Sequence, residues 1–180
     1  INRQNGLVHV TDNANKQIKV FLDNGATGTM VRAWGEAGSM FGKFEDIRGV
    51  AVGVEGRVYV ADARAIQMFD KEGAFIKEIL PVVNPAYCDF YCIAISKDGL
   101  VFAGQDYYLG RNDYDYTTQV YIFDQDLAFW AQFTMCLNSI GISPGGKIFL
   151  GRYNNSIQTM NRAFRTTQET VIPIPGILAV

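Results

Sequence analysis

Four glycine-led segments recur at near-constant spacing, and this repeat limits what the chain can fold into more than any other feature. "GLVHVTD" from Gly6, "GRVYVAD" from Gly56, "GLVFAGQ" from Gly99 and "GKIFLGR" from Gly146 start 50, 43 and 47 residues apart. A second short apolar run precedes three of them: "GVAVGVE" from Gly49, "CIAISKD" from Cys92 and "SIGISPG" from Ser139. A third run follows each: "QIKVFLD" from Gln17, "AIQMFDK" from Ala65, "QVYIFDQ" from Gln119 and "SIQTMNR" from Ser156. A fourth, more variable run closes the unit, as in "GAFIKEIL" from Gly73 and "LAFWAQF" from Leu127. Short runs rich in Val, Ile, Phe and Tyr, bounded by Gly, Asp and Asn turns, read as strands joined by hairpins. No apolar pattern keeps helical spacing for three turns.

Four strands in a unit of about 45 residues is the period of a β-propeller blade. A strand solenoid is the competing repeat architecture, with units that are usually shorter. The fold class expected is therefore all-β, a propeller of four-stranded antiparallel blades. The second unit carries a more specific likeness through Gly56, Val58, Tyr59, Val60, Ala61, Asp62, Ile66, Phe69, Asp70, Gly73 and Phe75. The first adds Val8, Val10, Asp12, Ile18, Val20, Phe21 and Gly25, followed by "RAWGEAGSMFGKF" from Arg32. These residues resemble the NHL repeat and its W-G-x-x-G-x-x-x-G-x-F linker. Units three and four depart from it, with Gln105 and Arg152 in place of the Asp and Met160 in place of the Phe. The Gly-His and Trp-Asp pairs of a tryptophan–aspartate propeller are absent, and the glycine pair that a kelch propeller carries before each blade does not recur from unit to unit.

The repeat divides the chain into blade 1 over 6–36, blade 2 over 49–80, blade 3 over 92–133 and blade 4 over 139–171. A further strand, 174–180, is in phase with the first strand of a blade, aligning Ile177–Val180 with Gly49–Val52. Two arrangements stay open. The resemblance implies a six-bladed ring of about 270 residues at this period, of which this chain is a part. Alternatively the last strand joins the first three and closes a four-bladed ring. The chain starts at Ile1 without a basic-then-apolar leader, so either a leader has been removed or the sequence is part of a longer product.

The net charge of −2 gives no basic excess for nucleic acid, and no apolar run reaches the length of a membrane helix. Neither partner is expected. The compartment is left open. Cys88, Cys92 and Cys136 are an odd number and lack zinc-site spacing. Cys88 and Cys136 fall in adjacent loops, so a disulfide between them stays open. No cofactor is expected. The single histidine, His9, aligns with Tyr59, Phe102 and Phe149, and reads as a packing residue. Asp12 and Asp62 read as turn residues whose carboxylates accept local backbone N–H groups, as do Asp70 and Asp124.

Two sets of residues are candidates for contact. Arg48, Tyr91 and Asn138 occupy equivalent places before the innermost strands. Arg64, Gln105 and Arg152 lie on the same face around the channel. Between Asp106 and Thr118 stands an insertion, where blade 2 needs only Ala63 to Ala65. It contains Tyr107, Tyr108, Arg111, Asn112, Asp113, Tyr114, Asp115 and Tyr116. Its aromatics argue against plain disorder, and tyrosine gives large contact area with a hydroxyl for hydrogen bonding. "RNDYDY" lacks the glycine and final Glu of a calcium loop.

The function expected is a non-catalytic protein-interaction or structural assembly module, its partner a protein or copies of itself, with carbohydrate as a further option. The alternative is an enzyme. Resemblance to NHL-type lyases implies histidine-bound zinc, and lactonase propellers imply calcium held by channel acids and amides. No ligand set for either is identifiable in this sequence.

Overall fold

The computed structural model describes residues 6–63, 65–80, 89–108, 116–135, 138–152, 156–160 and 166–171. Among these residues, fifteen strands form four antiparallel sheets. The first has three strands, β1 (Leu7–Asp12), β2 (Gln17–Asp23) and β3 (Gly28–Trp34). The second holds β4 (Ile47–Val52), β5 (Val58–Asp62), β6 (Ala65–Phe69) and β7 (Phe75–Ile79). The third is β8 (Phe90–Ile95), β9 (Val101–Tyr108), β10 (Tyr116–Phe123) and β11 (Phe129–Thr134). The fourth is β12 (Ser139–Ile142), β13 (Ile148–Gly151), β14 (Ser156–Met160) and β15 (Thr166–Val171). Strands follow chain order within each sheet, as four hairpin-linked meanders.

The sheets stand side by side. β1 packs beside β4, β4 beside β8, and β8 beside β12, so the first strand of each full sheet lies innermost. This is a β-propeller arrangement. Its cause is visible in the middle strands, where side chains alternate between two different cores. Val58 and Val60 of β5 enter a cluster with Ile18, Phe44 and Phe69 between blades 1 and 2. Tyr59 and Ala61 of the same strand enter the next cluster, with Phe90, Val101, Ala103 and Tyr121 of blade 3. Phe102, Val120 and Ile122 pass to a third cluster with Ile148 and Leu150 of blade 4. A strand apolar on both faces must be covered on both, so a blade of this sequence requires neighbours.

The turns follow the repeat. Asp70 Oδ1 accepts from the N–H groups of Glu72 and Ala74, and Asp124 Oδ1 from those of Asp126 and Ala128. Gly73 has φ +97°, and a Cβ there would fall 2.6 Å from the Trp34 ring.

The linker from blade 1 to blade 2 is held by side chains. Trp34, Phe44 and Phe69 form a tilted aromatic trio, with Trp34–Phe69 centroids 4.8 Å apart. The buried Gln67 accepts from Gly42 N–H at 3.0 Å and donates to the Lys43 carbonyl at 2.7 Å. Asp62 serves the linker. Its carboxylate accepts from the N–H groups of Glu45 and Asp46, at 3.0 and 2.6 Å, because the linker returns across the end of β5. Asp12 does act locally, taking the Asn15 N–H, with Lys19 Nζ at 2.5 Å.

The residues proposed for the closing or leading strand, 174–180, lie outside the described residues, as do Arg64, Cys88 and Cys136. Cys92 is a free thiol.

Candidate functional site

The site is built from a distortion repeated in the innermost strands. In blade 2 the ladder runs from Ile47↔Asp62 to Gly49↔Ala61, leaving Arg48 as an extra, bulged residue. In blade 3 it runs from Phe90↔Gln105 to Cys92↔Gly104, leaving Tyr91 in the same position. Blade 4 repeats the crowding, with Asn138 N–H donating to the Gly151 carbonyl while Ser139 pairs with Gly151. A bulge bends the strand and re-aims the side chain it carries. Arg48, Tyr91 and Asn138 are thus brought to the same end of successive blades.

The bulges require a small residue opposite them. That residue is Ala61 in blade 2, Gly104 in blade 3 and Gly151 in blade 4. A Cβ at Gly104 would lie 2.5 Å from Cys92 Sγ, and one at Gly151 2.3 Å from Ser139 Oγ.

Around the bulged residues runs a chain of polar contacts. Arg48 Nη2 sits 2.5 Å from Asp46 Oδ2 and 3.7 Å from Asp89 Oδ2. The Asp89 carbonyl accepts from Asp106 N–H at 3.0 Å. Tyr91 Oη donates to Thr118 Oγ1 at 3.0 Å, and Thr118 Oγ1 in turn approaches Asp106 Oδ1 at 3.4 Å. Burial raises the Asp106 carboxyl above the ordinary carboxylate value, and Asp89 pushes the same way. The Thr118 hydrogen bond and the Arg48 charge oppose that rise. The arrangement holds mixed donors, acceptors and charges at the mouth of the inner strands, a surface suited to polar recognition.

Next to it stands the insertion. Over 106–108 and 116–118 it is a ladder, not an irregular loop. β9 and β10 stay paired through Thr118↔Asp106, Thr117↔Tyr107 and Tyr116↔Tyr108, well past the level at which β5 ends. Only the backbone is described for Tyr107, Tyr108 and Tyr116. Arg111, Asn112, Asp113, Tyr114 and Asp115 lie outside the described residues.

The remaining sequence candidates separate. Gln105, read from the sequence as part of the exposed face, is 2% exposed, because it occupies the buried Asp62 column. Arg152 stands at the same end of β13, its N–H bound to the Ser156 carbonyl. Asp46 and Asp89 join the site although sequence reading gave them no role, and Asp106 and Thr118, the ends of the insertion, join it with them. The available signal was their adjacency to Arg48, Tyr91 and the insertion. Among the described residues no group of three or more His, Cys, Asp or Glu side chains is placed to hold a metal ion. No helix among them is long and apolar enough to cross a membrane.

No protein-family model matches the sequence, and no curated protein does. Solved structures do match. A Bacteroides caccae protein of unknown function aligns at TM-score 0.63 and 11% identity, over 92% of this chain and 57% of that one. The Neurospora crassa Pan2 WD40 domain aligns at TM-score 0.57 and 10% identity, over 94% and 51%. Chaetomium thermophilum Raptor aligns at TM-score 0.65 and 14% identity, over 93% and 15%. At these identities the likeness is one of fold, and that fold is the β-propeller. The chain spans about half the length, or less, of two of these structures and slightly more of the third.

Proposed function

We propose that the chain is a non-catalytic protein-interaction module of NHL-like repeat type, which meets its partner through the face carrying Arg48, Tyr91, Asn138 and the β9–β10 hairpin. One observation supports this above the others. The hairpin continues its backbone ladder beyond the blade, beside two bulges that turn Arg48 and Tyr91 toward the same face. A ladder that stays paired past the end of the blade lowers the ordering cost of contact through its strands, which favours contact over a merely tolerated loop. The mixed signs of Arg48, Asp46, Asp89 and Asp106 suit a polypeptide surface better than a uniformly charged polymer.

The test replaces residues 107–117 by Asn-Gly, a two-residue hairpin turn that joins Asp106 to Thr118 without disturbing their pairing. Wild type, this shortened chain and Arg48→Glu are used as baits in extracts of the source organism. Proteins held by wild type and lost by both variants support the reading. Identical captured sets from all three would sink it.

A further inference from the structure

The seam between blades 3 and 4 differs from the one before it in a way that leaves room for a ligand. At the seam between blades 2 and 3, side chains of blade 2 tie down the turn that joins β10 to β11. Arg57 Nη1 lies 2.5 Å from Asp126 Oδ1, Tyr59 Oη donates to the Gln125 carbonyl at 2.6 Å, and Lys77 Nζ donates to the Asp126 carbonyl at 2.8 Å. The strand registers place Leu100, Phe102 and Ala131 of blade 3 where blade 2 has Arg57, Tyr59 and Lys77. None of the three has a side-chain donor, so at these positions blade 3 offers its neighbour no such clamp.

A cavity of about 160 Å³ lies there, at the opposite end of the blades from Arg48 and Tyr91. Leu100, Phe102 and Ile148 give it apolar walls, the last two from the core that blades 3 and 4 share. Trp130 lines another side. The β11 ladder steps from Phe123↔Phe129 to Ile122↔Ala131, so Trp130 is a bulged residue, and it is 53% exposed. Ser96 and Asp98, in the turn between β8 and β9, are the polar side chains of the lining.

We propose that this cavity binds a single aromatic ring that carries a hydrogen-bond donor, as a phenol does. An apolar cavity of roughly 150 Å³ holds one benzene molecule, so this one takes one six-membered ring and not two. The indole of Trp130 offers a π face. An aromatic ring gains an offset-stacked or edge-on contact there that a saturated ring of the same size lacks. A pyranose matches poorly, since most of its hydroxyls would meet Leu100, Phe102 and Ile148 and stay without partners. Asp98 sets the requirement for a donor. An ionised carboxylate accepts several hydrogen bonds and donates none, so it takes a phenol hydroxyl and repels an anionic ligand. A free phenol and a tyrosine side chain share this chemistry, and the experiment separates them.

Methyl and indole N–H spectra of the chain, titrated with p-cresol, test the site. Saturable shifts are expected at the Leu100 and Ile148 methyls and at Trp130 Nε1–H, with Trp34 Nε1–H unmoved. So small a ligand should show a dissociation constant of about 1–10 mM. 4-Methylanisole lacks the donor and 4-methylcyclohexanol lacks the π face, so each should bind about threefold more weakly or worse. Trp130→Ala should weaken p-cresol about fivefold or more. Asp98→Ala should abolish the preference for p-cresol over 4-methylanisole. Both positions are exposed, so melting temperatures should stay within about 2 °C. If Asp98→Ala melts early, Trp130→Ala carries the comparison. No saturable shift, shifts scattered over the surface, or equal binding of the three ligands overturns the inference. So does p-cresol binding that Trp130→Ala leaves unchanged. N-acetyltyrosinamide separates the sources. Affinity at or above that of p-cresol assigns the ring to a polypeptide, weaker binding assigns it to a free phenol, and either result supports the ring site.

Discussion

Gly104 stands where a Cβ would come within 2.5 Å of Cys92 Sγ and 3.2 Å of Tyr91 Oη. The bulge that turns Tyr91 toward the face folds the inner strand over β9, and only a hydrogen fits beneath it. Gly104→Ala should therefore destabilise the chain by about 1–3 kcal/mol through overpacking. Cys92→Ala removes the nearer atom, so the double mutant should recover much of the loss. Denaturant unfolding of the four chains checks this, and a Gly104→Ala midpoint equal to wild type would disprove the crowding.

His9 shows what an imidazole does in an aromatic column. Burial, with the Arg32 guanidinium second, holds its pKa down at about 4 against an ordinary 6.5. Both ring nitrogens are buried, with no hydrogen-bond partner among the described residues. Above pH 6.5 the ring is neutral in both folded and unfolded chains, so it has no effect there. Between 6.5 and 4 the unfolded chain takes a proton that the folded one refuses, and stability falls by no more than about 3 kcal/mol. His9→Phe should flatten thermal stability across that window. An unchanged pH slope in the variant would show that another group titrates there.

Asp12 acts in a lower window. The Lys19 hydrogen bond, then those from Asn15, hold its carboxyl at about 2, below the ordinary 3.8. Its contribution is complete above 3.8 and is lost as pH falls towards 2. Asp12→Asn should lower stability at neutral pH and remove part of the acid limb below pH 4, leaving the His9 window untouched. Melting curves at pH 7, 5 and 3 separate the two.

The Asp106 carboxyl reports on the network around it. Thr118→Val removes a hydrogen bond that lowers its pKa, and Arg48→Gln removes a charge that does the same, so both should raise it further. Asp89→Asn should lower it. Carboxyl ¹³C titration reads all three, and a downward shift in Thr118→Val would break the proposed connection.

Gln67→Ala unties the linker from β6. Losing both clamp bonds while leaving the Lys43 carbonyl and Gly42 N–H unpaired should cost about 2–3 kcal/mol. The Gly42 amide should exchange with solvent faster than in wild type, while amides of β9 and β10 stay protected. Equal exchange at Gly42 would contradict the clamp.

Much of the fold is legible because β5 and β6 must bury both faces, and runs such as "VYVAD" and "AIQMF" announce it. Asp70 and Asp124 were readable as turn residues since their partners lie within four positions. The linker partners of Asp62 were not readable, because they arrive from 16 and 17 residues upstream. Gln105 was misplaced for a related reason: a polar residue in the buried column differs from an exposed one only in its tertiary surroundings. The bulges at Arg48 and Tyr91 left one trace, the small residues Ala61, Gly104 and Gly151 in a column otherwise free to be large. The extended pairing of β9 and β10 was signalled by "YTTQVYIF", whose β-branched and aromatic content continues upstream of the repeat boundary.

The alternation of β5 side chains between two cores makes the blades a row of mutually dependent units, in which each owes part of its stability to the next. A unit whose cores are shared with described neighbours on both sides opens later than one that is less covered. Blade 2, with every residue of β5 and β6 buried, should therefore hold the slowest-exchanging amides in the chain. Damage to blade 1 or blade 3 should be felt there as a weakened neighbour, long before any contact within blade 2 is lost.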